Sequence, residues 1–308
     1  MDAQAHLLES LDSCLEKYRK RLKAGCRSLS VEAVHDLRVA ARRLLALAGL
    51  VRTVAPHPLL KKVRSALKAL LGGLDDLRDT QVMLAEISAT IGSLPGLRPF
   101  QHDLLKRERR LLRAASRLVG SAYPGRLNRH LEKVRLGLTD RDTRAGLSER
   151  ILQAADDTYS SALLRYTRID PAQPTTIHRA RVAFRKFRYT LEIINSLSKT
   201  APAVNLIKVR DCQNMMGDIQ DAEVLLRALT DFEEREETLL PKLVRRHYEQ
   251  RNSDAIAAFM KDKGELLKLW RPRPDQPLPW ETKHDPVPRP ARHRRRARNP
   301  ARQPAPAH

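Results

Sequence analysis

Apolar residues recur every three or four positions over most of the chain, which is the spacing of one face of an α-helix. These runs predict helices over about residues 5–24, 31–54, 59–71, 75–94, 99–119, 126–136, 147–168, 175–199, 203–216, 218–235 and 237–269. No segment alternates apolar and polar residues with the period of two that strands require. The pattern therefore predicts an all-α protein.

Glycines and capping residues mark several of the predicted helix ends. Gly25 indicates the end of the first helix, and Ser30 is placed to cap the second. Gly217 is expected to end one helix, with Asp218 opening the next. The polar segment 137–146 is predicted to connect two halves of the chain.

A basic motif, His-x-x-Arg-Val-Ala-x-Arg followed by Arg or Lys, occurs twice. Positions i, i+3 and i+7 of a helix lie on one face, so each copy predicts a basic stripe. The first copy contains His35, Arg38, Arg42 and Arg43, and the second contains His178, Arg181, Arg185, Lys186 and Arg188. At about 1.5 Å per residue the second stripe is roughly 15 Å long, which suits a long anion better than one carboxylate.

The two motifs belong to a longer internal repeat. An offset of 142 to 143 residues aligns His35 with His178, Asp79 with Asp221, and Lys68 with Arg210. We therefore predict a duplicated helical bundle with two pseudo-symmetric halves, about 3–137 and 147–268, and a basic central groove. Each half is expected to bury its own seam of Leu and Ala. Asp79 and Asp221 are expected to cap a helix or to orient an arginine.

A net charge of +22 makes a polyanion the expected partner. Aromatic residues are only 4% of the chain, and they are not interleaved with basic residues as in proteins that bind single-stranded nucleic acid. This composition favours a polyanion without bases. The sequence shows no Gly-rich phosphate loop, acidic metal cluster or activated nucleophile, so we expect no enzymatic activity, no cofactor and no metal site.

Residues 271–308 differ from the rest in composition. They hold 10 of the 19 prolines, and ten Arg or Lys against three Asp or Glu. Such a segment cannot bury enough apolar surface to fold, so we predict a disordered basic tail. A nucleic-acid-binding protein that uses the basic surface and this tail is the alternative function.

Location in the cell can be predicted only coarsely. The three cysteines lack the spacing of a disulfide framework or a zinc site, which indicates reduced thiols. No run approaches the roughly 18 apolar residues of a membrane span, and the first residues do not resemble a signal peptide. We expect a cytoplasmic protein; an association with granules of its polyanionic partner is left open.

These motifs resemble those of the CHAD family, the conserved histidine α-helical domain. The resemblance covers about residues 3–268 and includes Arg78-Asp79 and Gln220-Asp221 besides the two His-x-x-Arg copies. It implies a helical bundle with a basic central groove that binds inorganic polyphosphate. Asp75 departs from the family pattern, because glycine is usual there and Gly217 fills the equivalent position of the second half.

The predicted polyphosphate-binding residues combine the stripes with the repeat partners: His35, Arg38, Arg42, Arg43, Lys68, Arg78, His178, Arg181, Arg185, Lys186, Arg188 and Arg210. For the two histidines, three interpretations stay open. Each is a buried structural residue bonded to a neighbouring helix, a phosphate contact or, least favoured, a nucleophile in phosphoryl transfer. Several nearby arginines would disfavour the protonated ring, so we expect neutral histidines at pH 7.

Overall fold

The described residues of this computed structural model are 2–122, 125–140, 144–197, 203–261, 270–271 and 275–276. The helices of the first half are α1 (Ala3–Arg27), α2 (Val31–Val54), α3 (Leu59–Gly73), α4 (Asp75–Thr90), α5 (Arg98–Ser121) and α6 (Gly125–Leu138). Those of the second half are α7 (Leu147–Thr167), α8 (Pro174–Leu197), α9 (Ala203–Arg235) and α10 (Lys242–Lys261). Because no strand occurs within these ranges, the predicted all-α class is confirmed.

The start of α2 follows the predicted capping chemistry, whereas the end of α1 does not. The Ser30 hydroxyl accepts a hydrogen bond from the Ala33 backbone N–H, so Ser30 caps α2 as predicted. Gly25 does not end α1, which continues to Arg27. Gly25 instead lies where a Cβ would come within 3.3 Å of Leu37 on α2. Its missing side chain therefore allows close packing of α1 on α2.

The predicted break at Gly217 is wrong. Residues Ala203–Arg235 form the single helix α9, which passes through Gly217. One glycine costs a helix only about 1 kcal/mol, and packing can offset that. A Cβ at Gly217 would come within 3.4 Å of the Arg181 Nη2 atom, so the glycine leaves room for this guanidinium against the helix. In the first half, by contrast, Leu74 separates α3 from α4.

The helices of the two halves pack in the same order. In the first half α1 packs on α2, α2 on α3, and α4 on α5. In the second half α7 packs on α8, α8 on α9, and α9 on α10. Across the halves α2 contacts α8, and α4 contacts α9. The duplication itself stays a prediction, because two helices in the first half correspond to one in the second.

The expectation that each half buries its own apolar seam is wrong. The larger core is one cluster that contains residues of all ten helices, α1 to α10, and also Trp270. A second, smaller core joins the end of α4 and the start of α5 to α9 and α10, with Phe100 and Phe232 in edge contact at its centre. Both cores contain residues of both halves. In the larger core, α2 packs against α7 and α8, so the two apolar seams form one core.

The predicted tail begins too early, because Arg271 belongs to the folded part. Trp270 is 1% exposed, and its Nε1 donates a hydrogen bond to Asp156 at 2.7 Å. Arg271 contacts both oxygens of the same carboxylate. The predictions for 262–269 and for nearly all of the segment after Arg271 lie outside the described residues. Within the described ranges, every helix is too short or too polar to cross a membrane.

Candidate functional site

The two His-x-x-Arg stripes face one central groove. It lies between α2 and α8, is bounded by parts of α4 and α9, and has a volume of about 830 Å³. Eight of the predicted binding residues line it: His35, Arg38, Arg42, Arg78, His178, Arg181, Arg185 and Lys186. Two stripes about 140 residues apart in sequence are thus brought to one surface by the packing of α2 on α8.

Four predicted binding residues do not line this groove. Lys68 and Arg210 are exposed residues of α3 and α9. Arg43 lies beside a separate pocket between α1 and α8, with its Nε 3.3 Å from Glu192. Arg188 pairs with the same carboxylate at 3.4 Å. Glu192 therefore pairs with both arginines, and neither of them lines the groove.

Arg38 joins α2 to the junction of α3 and α4. It is only 4% exposed, and its Nη1 donates a hydrogen bond to the Leu71 carbonyl at 3.1 Å. The same nitrogen lies 2.6 Å from the Asp75 Oδ1 atom. The Leu71 carbonyl belongs to the last turn of α3, where the regular i+4 backbone donors run out. Besides the Arg38 guanidinium, it accepts a hydrogen bond from the Leu74 backbone N–H at 3.1 Å. Arg38 therefore has a structural role whether or not it also contacts a ligand.

Asp75 places a carboxylate inside the groove, where it neutralises part of the first stripe. Besides Arg38, its Oδ1 lies 4.0 Å from the Arg42 Nη2 atom. At the equivalent position of the second half, Gly217 carries no charge and Arg181 lies against it. The two stripes therefore differ, because only the first has a carboxylate of the protein beside its arginines at this position.

The positive charges of the arginines in the two stripes repel one another. Burial, followed by the charges of Arg38 and Arg185, lowers the pKa of Arg42 to about 10. Burial and the charge of Arg181 lower the pKa of Arg185 as well. Apolar side chains such as Leu45 and Val224 also line the groove, and this reduces the screening of charges by water. An anion bound here would relieve the repulsion between the stripes.

Comparison with protein families identifies the family to which this chain belongs. The family model described as "CHAD domain" matches residues 9–230, which is more than two thirds of the chain. This chain belongs to the CHAD family. The family is associated with polyphosphate binding and metabolism.

Two solved structures share the CHAD fold of this chain. The CHAD domain from the plant Ricinus communis superimposes with a TM-score of 0.62 at 21% identity, covering 87% of this chain and 92% of that one. PptA from Streptomyces chartreusis superimposes with a TM-score of 0.55 at 17% identity, covering 87% and 96%. No curated protein matches the chain.

The CHAD groove contains one arginine that the sequence did not indicate. Arg64 of α3 reaches the groove and donates a hydrogen bond to the Leu45 carbonyl at 3.4 Å. Its guanidinium crosses α2 at Gly49, where a Cβ would come within 2.5 Å of Nη1. Arg64 belongs to no repeated motif, so only the glycine at this crossing could have pointed to it.

Both histidines of the CHAD motif are exposed, so the interpretation as buried structural residues is wrong. His178 nevertheless bonds a neighbouring helix, because its Nδ1 donates to the Gln220 Oε1 atom on α9. That bond directs the other ring nitrogen of His178 away from Gln220. The pKa of His35 is lowered, first by partial desolvation and then by the charge of Arg78, as expected for a histidine among arginines.

Asp79 and Asp221 both line the groove, but neither caps a helix. Asp79 is the fifth residue of α4, and Asp221 lies in the middle of α9. Burial raises the pKa of both carboxyls, while Arg38 opposes the shift at Asp79 and Arg181 opposes it at Asp221. This leaves the orientation of an arginine as their predicted role. Within the described residues, no three His, Cys, Asp or Glu side chains are grouped so as to hold a metal.

Proposed function

We propose that this CHAD protein binds inorganic polyphosphate in the central groove and does not turn it over. The observation that carries the proposal is that both His-x-x-Arg stripes face one groove, although they are about 140 residues apart in sequence. Six arginines and one lysine line this groove against four aspartates, so it has an excess of positive charge. Membership of a family associated with polyphosphate supports the same ligand.

Arginine suits this ligand for geometric reasons. Its planar guanidinium can donate two parallel, charge-assisted hydrogen bonds to the oxygens of one phosphate. Polyphosphate repeats the same charged unit along a flexible chain, so a row of such forks can bind successive units. The chain carries no bases that would need stacking partners, which agrees with the few aromatic residues of this protein.

The proposal of binding without turnover rests on what the groove offers. The side chains that would face the phosphates donate hydrogen bonds and carry positive charge. Asp79 and Asp221 lie on different helices and repel each other, but within the described residues they belong to no group of three His, Cys, Asp or Glu side chains that could hold a metal. A hydrolytic site would need a positioned metal or a nucleophile with an adjacent base. Incubation with polyphosphate and Mg²⁺ should release no phosphate.

The second stripe should make the stronger contacts. In the first stripe, Arg38 is buried and bonded to Leu71, and Asp75 neutralises part of the charge. In the second stripe, Arg181 lies against uncharged Gly217. A phosphate near Arg38 would have to share it with a carboxylate of the protein. We therefore expect Arg181 and Arg185 to contribute most to affinity.

Replacing Arg181 or Arg185 by Ala is expected to weaken polyphosphate binding and to reduce its salt dependence. Each phosphate contact that is lost should make the slope of log affinity against log salt shallower by about 0.7 to 0.9, because fewer counterions are released. Titrations at several salt concentrations measure this slope. Lys68→Ala and Arg210→Ala are matched controls outside the groove and should leave the slope unchanged. Equal slopes in all four variants would exclude the groove as the binding site.

Polyphosphate affinity is expected to rise as the pH falls below the ordinary pKa of histidine, about 6.5. His35 has a lowered pKa in the free protein because of partial desolvation and the charges of Arg78, Arg42 and Arg38, opposed by Asp36. The neutral His35 ring therefore contributes to the stability of the folded protein above pH 6.5, and this contribution is lost as the pH falls through the lowered pKa. Bound phosphate favours the protonated ring, so binding takes up a proton.

One proton taken up on binding changes the affinity at most tenfold per pH unit. Isothermal titration between about pH 7.5 and 5.5 measures the gain, and two buffers of different ionisation enthalpy give the number of protons. The control is His35→Gln, in which this part of the gain should disappear while the rest of the pH dependence remains. A variant that keeps the full pH dependence would show that His35 does not respond to the ligand.

A further inference from the structure

A second basic surface lies on α5, outside the central groove. Five of its cationic side chains are exposed and share one face through spacings of three, four and seven residues: Lys106, Arg109, Arg110, Arg113 and Arg117. These five residues are called the α5 stripe. The opposite face of α5 is held in the two cores by Phe100, Leu104, Ala115 and Val119, so the orientation of the helix is set by packing.

The α5 stripe is not balanced by carboxylates. Among the described residues, none of its five side chains forms an ion pair, whereas neighbouring Arg107 contacts Asp76 at 3.9 Å. Asp103, at the start of the helix, is paired with Arg235 at 2.8 Å. Like charges three or four residues apart on a helix destabilise it. The stripe thus has a cost to stability that a bound polyanion would remove.

The α5 stripe and the central groove are separated by negative charge. The first turn of α4 borders the groove and reaches α5 next to the stripe, because Asp75 lines the groove and Asp76 lies 3.9 Å from Arg107, which is not a stripe residue but adjoins Lys106 in sequence. A polyphosphate chain that left the groove toward α5 would have to pass these two carboxylates. The stripe is therefore better suited to a separate ligand than to an extension of the groove.

We propose that the α5 stripe binds the phosphate backbone of duplex nucleic acid. At about 1.5 Å per residue, the eleven steps from Lys106 to Arg117 span roughly 16 Å. Five cations over this length give one positive charge per roughly 3–4 Å, a linear charge density similar to that of one duplex strand, which carries one phosphate per 3.4 Å of helix axis. Attraction between the two charge densities is sequence-independent, so the expected binding reads no bases.

Other polyanions fit the α5 stripe less well. The only aromatic residue of α5, Phe100, is buried, so the helix offers no platform for the bases of a single strand. Among the large apolar residues of α5, only Leu105 is markedly exposed, at 40%. This helix therefore has no apolar face to insert into a membrane. A straight helix on the outside of the bundle can lie along a rigid duplex without deforming it.

The test compares three variants of the full chain. The stripe variant is Arg110→Gln, Arg113→Gln and Arg117→Gln. The matched control removes the same charge from three scattered exposed arginines, Arg168→Gln, Arg227→Gln and Arg246→Gln. The groove variant is Arg181→Gln with Arg185→Gln. Binding to a mixed-sequence duplex DNA, to long-chain polyphosphate and to vesicles with anionic lipid is measured over a range of salt concentrations.

The stripe variant should bind duplex DNA with a salt slope shallower by about 2.7, from three lost contacts at about 0.9 each, and should keep its polyphosphate affinity. The control should show no such change of slope, and the groove variant should keep its DNA affinity. The proposal is overturned if the stripe variant binds DNA as the control does, or if it instead loses affinity for polyphosphate or vesicles. The polyphosphate arm of the groove variant tests the proposed function separately.

Discussion

Long-chain polyphosphate at about 100 times its dissociation constant is expected to raise the free energy of unfolding by about 2.7 kcal/mol. The ligand should bind only the folded state, because folding alone brings the stripes of α2 and α8 to one groove. In the free groove the arginines repel one another, and a bound polyanion would relieve that repulsion. The repulsion contributes, after burial, to the lowered pKa of Arg42, about 10, and to the lowered pKa of Arg185. Thermal melts with and without ligand measure the shift.

The variant that tests this stabilisation replaces Arg42, Arg181 and Arg185 by Gln and keeps Arg38. Arg38 is excluded because its loss would leave the Leu71 carbonyl and Asp75 without their buried partner. The variant should not respond to polyphosphate. Without ligand it should melt at the same temperature as the unmodified protein or higher, because three repelling charges are gone.

Orthophosphate at equal total phosphate is the ligand control for the same melts. A single phosphate cannot reach from one stripe to the other, so its effect should be small. Two results would contradict the groove as the site of stabilisation. One is an equal shift with orthophosphate and with the long chain, and the other is a full response of the triple variant.

Replacing Asp156 by Ala is expected to lower the free energy of unfolding by about 3–5 kcal/mol. Asp156 is 5% exposed on α7. Its Oδ1 accepts from Trp270 Nε1 at 2.7 Å and from Arg271 Nε at 2.9 Å, and its Oδ2 accepts from Arg271 Nη2 at 2.5 Å. The Arg271 side chain is only 14% exposed, so the substitution would leave a mostly buried cation without its carboxylate.

Urea unfolding of three further chains distinguishes this contact from an unspecific effect. Asp157→Ala changes the exposed neighbouring carboxylate and should cost less than about 0.5 kcal/mol. A chain that ends after Arg271 should keep its full stability, whereas one that ends after residue 269 should lose as much as Asp156→Ala or more. If Asp156→Ala stays within about 1 kcal/mol of the unmodified protein, the contact does not anchor the end of the fold.

Several failures of sequence reasoning have one physical origin, namely side chains whose partners are distant in sequence. Arg43 was predicted to bind the ligand as the last residue of the first motif and Arg188 as part of the second stripe, but both pair with Glu192 and neither lines the groove. Arg64 was missed because it reaches the groove only across Gly49. In each case the helix and its approximate limits were predicted correctly, and the direction of a long flexible side chain was not.

The sequence by itself determined the helical class, most helix limits and the composition of the two stripes, because these depend on residues three to seven positions apart and on local capping. Tertiary structure decided the rest. The packing of α2 on α8 selected the stripe residues that face the groove, and contacts of α7 with Trp270 and Arg271 moved the end of the folded part. Helix α9 continues through Gly217, against which Arg181 packs, although local propensity alone indicated a break there. These outcomes depend on surfaces that meet only after the helices have formed, so no local pattern records them.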